Sequence, residues 1–211
     1  MCDEPSVNRE HAPPECVFPP ESHLRKNLIT VPSCKKHNAD KSCDDELLQC
    51  VLAFANNSSS HAYRMTDEVV LPRLERKPHL TATFMPDLRD FGNREGRFTP
   101  DLARFESSMR AAVRGLYYHD TKFKAKLLVA EMQVFWPLLR NDEGEFSPEF
   151  MALHEWAEQN LPPAASGANP AIFQYRFDPL PGGQQQMCRL RFYEGVPVYA
   201  VWNMENAAPA A

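Results

Sequence analysis

The sequence predicts an α+β chain: a small hairpin-and-helix unit first, a helical region after it, and a three-stranded antiparallel meander at the end. Three observations carry this. The first 55 residues are rich in cysteine and proline and run into a strong helix signal. Two later segments, Thr99-Pro100-Asp101 and Ser147-Pro148-Glu149, each place a capping residue before a proline and follow it with an acid, the pattern of a helix start. The tail then changes period from helical to alternating.

Taken in order, Ser42 precedes Asp44 and Asp45 and the apolar residues Leu47, Leu48, Val51 and Leu52. Ser42 and Asp45 have the spacing of a capping box, in which hydroxyl and carboxylate each satisfy an orphan amide of the first turn. Asn56-Asn57-Ser58-Ser59-Ser60 reads as a linker, which divides the chain into 1–55 and 61–211. After Thr99-Pro100-Asp101, the residues Leu102, Phe105, Met109, Val113, Leu116 and Tyr117 keep helical spacing and read as core. Phe150, Leu153, Trp156 and Leu161 follow the second start signal in the same way. Phe173, Tyr175 and Phe177 alternate with polar residues, Pro181-Gly182-Gly183 makes a turn, Cys188, Leu190 and Phe192 alternate again, and Val198 to Trp202 is a third apolar run.

Composition narrows the classes. Of 211 residues, 43% are hydrophobic and 24% charged, which excludes a disordered tail, a collagen and a coiled coil. The uncharged apolar stretches, such as Leu127 to Ala130, fall far short of the roughly 20 residues a membrane helix needs. Met1 is followed by Cys-Asp-Glu-Pro rather than by a basic segment and an apolar run, so a cytoplasmic protein with thiols or metal ligands is the expectation. The net charge of -5 argues against a general polycation, yet residues 64 to 126 hold thirteen Lys/Arg against nine Asp/Glu. That excess reads as solvated helix surface or as a face that tracks phosphates.

The stretch that carries chemistry is Arg9-Glu10-His11-Ala12-Pro13-Pro14, followed by Asn27-Leu28-Ile29-Thr30-Val31-Pro32-Ser33-Cys34-Lys35-Lys36-His37-Asn38-Ala39-Asp40-Lys41. An acid directly before His, an Asn opening a β-like run, and then Cys-x-x-His-Asn-x-x-Lys resemble the HNH endonuclease signature. The resemblance covers residues 1 to about 50 and implies the ββα-metal fold for that module.

Hydrolysis of a phosphodiester needs a base for water, a cation for the leaving oxygen and a rigid scaffold. A neutral imidazole, with an unperturbed pKa of about 6.5, accepts a proton at cytoplasmic pH, so His11 is the candidate general base. Glu10 and Asn38 offer hard oxygen donors, which with water suit one Mg²⁺ (or Mn²⁺) and let the scissile phosphate complete the shell. The resemblance gives Asn27 the role of tying the hairpin loop together and orienting the histidine, and puts Lys41 at the family's basic position, where it reads either as a phosphate contact or as a solvated lysine. DNA is the implied partner. His23, His61, His79, His119 and His154 fit no ligand or catalytic spacing.

Many HNH proteins frame the hairpin with a structural zinc held by two Cys-x-x-Cys knuckles. Here the second is Cys34-x-x-His37, a competent donor pair for zinc. Cys2 stands where the first knuckle's second cysteine belongs, and its partner would precede Met1. Three explanations stay open: a start placed too late, a substitute ligand such as Asp3 or Cys16, or a relic that holds no zinc. Cys16 reads rather as a small buried apolar residue beside Val17 and Phe18, and Cys43, Cys50 and Cys188 as ordinary thiols. The segments Arg114-Gly115-Leu116-Tyr117-Tyr118-His119 and Tyr199-Ala200-Val201-Trp202 resemble the rear portion of small bacterial and phage HNH proteins. That rear portion is expected to bury the back of the hairpin module. A second reading, of another class, is a non-catalytic zinc-knuckle module that binds nucleic acid or protein; Glu10-His11 with Asn38 argues against it, since such a module needs no acid-histidine pair.

Overall fold

The computed structural model describes residues 5–34, 41–55, 59–84, 100–122, 124–127, 131–137, 146–164, 166–204 and 207–209. It is an α+β protein. Strand β1 (Asn8–His11) pairs antiparallel with β2 (Thr30–Ser33), with Glu10 opposite Val31 and His11 opposite Thr30. Between them runs a long loop with a 3-10 turn at Glu15–Val17. Helix α1 (Lys41–Ala55) follows, so the first module has strand–strand–helix order. Because α1 starts at Lys41, Ser42 lies inside its first turn rather than before it, and the expected capping box does not mark the helix start.

Residues 60 to 84, apart from Lys77, are helical, in keeping with the helical region expected after the hairpin unit. Ser59 caps α2 (Ser60–Arg64) by accepting the amide of His61. A wide π-turn segment (Met65–Val70) leads into α3 (Leu71–Arg76) and α4 (Pro78–Phe84). The long helix α5 (Leu102–Asp120) is capped by Asp101, whose carboxylate accepts the Arg104 amide at 3.2 Å. The first-turn acid of the sequence reading is therefore the cap itself, and Pro100 precedes the helix. Helix α6 (Pro148–Asn160) begins as its sequence predicts, with Ser147 accepting the Phe150 amide at 3.1 Å and Pro148 in the first turn.

The predicted meander is β5 (Phe173–Pro179), β6 (Gln185–Phe192) and β7 (Val196–Asn203). A fourth strand, β4 (Gln133–Phe135), adds to the β7 edge, giving the order β4-β7-β6-β5. A separate two-stranded ribbon pairs β3 (Ala125–Leu127) with β8 (Ala207–Pro209). Alternation sorts the sheet's faces. Phe173, Tyr175, Cys188, Leu190, Phe192, Val198, Ala200 and Trp202 share one buried cluster with α5, whereas Met187, Tyr199 and Val201 pack under Phe150 and Ala157 of α6. The sheet is therefore the middle of three layers. On the α6 side the buried carboxylate of Asp178 is held by Arg189 at 2.7 Å and Arg176 at 2.9 Å, so it enters the interior paired.

The cluster on the α5 side also takes in Ala12, Val17 and Phe18 from the hairpin loop and Leu47, Leu48, Val51 and Leu52 from α1. A ββα unit this small has little core of its own, and α5 with the sheet supplies the missing surface. Asp44 of α1 accepts from Arg104 of α5 at 2.6 Å. Tyr117 meets Phe177 and Trp202 edge-on, so Tyr117 and Trp202 pack in the core.

Candidate functional site

His11 is the last residue of β1, where the ladder is extended by the Ala12 amide donating to Ile29 O at 2.9 Å. Adjacent strand residues face opposite ways. The pairing puts Arg9, His11, Thr30 and Pro32 on one face of the ribbon and Glu10 with Val31 on the other. Val31 is buried against Gly115 of α5, where a Cβ would lie 3.3 Å from Val31 Cγ2. Glu10 therefore points to the protein side, with one carboxylate oxygen shielded from solvent, while His11 lies on the outer face with its side chain 34% exposed.

On that outer face Arg9 donates through Nε to Thr30 Oγ1 at 2.9 Å and to Thr30 O at 3.0 Å, so its guanidinium lies beside the residue across from His11. His11 Nδ1 is 3.8 Å from Glu15 Oε2. The other Glu15 oxygen accepts from Arg25 at 3.3 Å, and Arg25 donates to Pro19 O and Phe18 O at 2.9 Å each. Sequence reasoning missed Glu15 and Arg25. The four-residue step from His11 to Glu15 is visible in the chain, but it signals proximity only on a helix, and this segment is a loop.

The loop is held from behind. Val17 and Phe18 are buried, and Phe18 meets Phe173 edge-on at 6.4 Å between ring centroids. Tyr193, fully buried, donates its hydroxyl to Val17 O at 2.6 Å, and Asn169 donates to Leu24 O at 2.7 Å. Asn27 adopts φ +56°, a left-handed conformation that Asn tolerates better than most residues, as the chain turns towards β2. Asn27 lines a small apolar cleft with Pro13, Phe18 and Phe173.

The remaining expected site residues divide by position. Cys34 is buried just after β2. Cys2, His37 and Asn38 lie outside the described residues, as does the Lys41 side chain at the start of α1. Among the described residues no group of three or more His, Cys, Asp or Glu side chains converges as a metal cluster. Glu10 offers one carboxylate, a ligand type that Mg²⁺ takes. Cys16 is half-buried and donates its thiol to Asp45 O at 3.2 Å, joining the loop to α1. Burial pushes the Cys50 thiol up to about 12 and raises Cys188 as well, which makes both poor nucleophiles and poor ligands. Of the other histidines, His154 is satisfied by Tyr199, with Nδ1 2.6 Å from the phenol oxygen. Among the described residues no helix is long and apolar enough to cross a membrane. No family model, curated protein or solved structure matches the chain.

Proposed function

We propose that this protein is a metal-dependent endonuclease of the HNH class that hydrolyses DNA phosphodiesters. The observation that carries the reading is the place of His11: the half-exposed end of an antiparallel ribbon that leads into a helix, with the Arg9 guanidinium on its own face, while Glu10, its chain neighbour, turns to the protein side. In this reading the neutral imidazole of His11 takes a proton from water, and the water oxygen bonds to phosphorus as the bond to the leaving oxygen breaks. Arg9 and Lys41 contact the phosphate oxygens. Glu10 and Asn38 would hold Mg²⁺ or Mn²⁺, which when bound supplies charge neutralisation for the leaving oxygen. Cys2, Cys34 and His37 would supply three of the four donors that a structural zinc needs, and the three explanations for the missing fourth stay open.

The test is the conversion of supercoiled plasmid by purified protein with Mg²⁺, with Mn²⁺ and with chelator, beside a His11→Ala control. Cleavage that needs the metal and falls by about 10²–10⁴-fold in the variant is expected. DNA binding without metal-dependent cleavage returns the molecule to the zinc-knuckle binding class.

A further inference from the structure

We propose that Glu15, braced by Arg25, is a positioning residue for His11, beside the orienting role that the resemblance gives Asn27. The proposal rests on the nuclease reading of His11. The 3-10 turn at Glu15–Val17 folds the loop back on the end of β1, which brings Glu15 Oε2 to 3.8 Å from His11 Nδ1. Its second oxygen is engaged by Arg25 at 3.3 Å. Arg25 is fixed in turn by the carbonyls of Phe18 and Pro19, each at 2.9 Å. Those carbonyls belong to a segment rooted in the core by Val17 and Phe18 and by the Tyr193 hydroxyl at 2.6 Å from Val17 O. The carboxylate is therefore anchored to rigid backbone through one oxygen and presents the other to the imidazole.

A separation of 3.8 Å exceeds a direct hydrogen bond. Catalytic hydrogen bonds that are long in the free protein tighten when substrate is bound. Stability does not explain the arrangement. Glu15 is 46% and Arg25 31% exposed, and ion pairs in that setting add little to folding. Orientation does explain it. A carboxylate at Nδ1 selects the tautomer with the proton on Nδ1, so the Nε2 lone pair is left to face water. When the proton passes from water to Nε2, the positive charge that forms on the ring lies beside Glu15. Among the described residues, Arg9 is held to Thr30 and Glu10 is on the opposite face of the strand, so neither competes for Nδ1.

The test combines ring-nitrogen NMR of His11, recorded where the imidazole is neutral, with plasmid-cleavage kinetics of wild type, Glu15→Gln and Arg25→Lys. The wild type is expected to hold the Nδ1-protonated tautomer. Glu15→Gln should shift it towards a mixture and lower kcat by roughly ten- to a hundred-fold with KM little changed. Arg25→Lys keeps the charge but loses the fork, and should shift both readouts in the same direction by less. An unchanged tautomer in Glu15→Gln overturns the proposal, as does an unchanged kcat in an enzyme that His11→Ala inactivates. If His11→Ala cleaves as well as wild type, the nuclease reading fails instead, and the tautomer alone decides whether Glu15 orients the ring.

Discussion

Replacing Gly115 with alanine sets two effects of opposite sign against each other. In an exposed helix the change stabilises by about 1 kcal/mol, because glycine loses more backbone freedom on folding. Gly115 is buried in the middle of α5, and a Cβ built there would lie 2.8 Å from Ala12 Cβ and 3.3 Å from Val31 Cγ2. Carbon atoms pack at about 3.5–4.0 Å, so the first contact is well inside the repulsive wall. Ala12 has no longer side chain to swing away; its Cβ moves only if the backbone beside His11 moves. Overpacking of this kind costs about 1–3 kcal/mol, and the absence of a flexible neighbour puts it in the upper half of that range. Set against the propensity gain, the net loss is about 1–2 kcal/mol, or a fall in melting temperature of about 2–8 °C for a chain of this size. Urea denaturation of wild type and Gly115→Ala measures it. A variant more stable than wild type would refute the reasoning, since it would mean that the ribbon does not sit on α5.

Tyr193→Phe removes the donor to Val17 O and leaves a buried carbonyl without that bond; stability should fall by about 1–3 kcal/mol by urea titration, and a value within error of wild type would contradict the clamp. Alkaline pH should weaken the fold. Cys50 and Tyr199 are both pushed up to about 12 by burial, so above the thiol's ordinary value of 9.0 the unfolded chain releases protons that the native state keeps. The Cys50 contribution is complete below about pH 9 and that of Tyr199 below about pH 10; both are lost as the pH rises from there to about 12, at up to about 1.4 kcal/mol per pH unit for the thiol. Cys50→Ala should show a shallower decline, and equal slopes would exclude burial of that thiol as a cause.

The sheet was legible because β5 and β6 alternate over seven and eight residues, long enough for a period of two to stand out, and β7 is a continuous apolar run beside them. Strand β4 was not, because three residues, Gln133 to Phe135, carry no period, and β7 rather than local propensity recruits them. For the same reason β8 lay hidden in a run of Ala and Pro that pairs with β3. The start of α5 was read nearly right: Asp101 and Thr99 are both competent caps flanking Pro100, and only the geometry selects Asp101. The site divides along the same line. Glu10 and His11 are chain neighbours and announce themselves, whereas Glu15 and Arg25 reach His11 through an irregular loop whose path is set by Val17, Phe18, Tyr193 and Asn169 from the core side. Gly115 was noticed only as part of a resemblance; its reason is the closeness of Ala12.

The claim at the centre is that His11 removes a proton from water during phosphodiester hydrolysis, and chemical rescue tests it most directly. Plasmid cleavage in Mg²⁺ is followed for wild type and His11→Ala with and without added imidazole. The account predicts that the variant loses activity by about 10²–10⁴-fold and that imidazole restores part of it in a concentration-dependent way, only while the metal is present. Cleavage by His11→Ala at the wild-type rate, or wild-type cleavage that survives chelator, would contradict it.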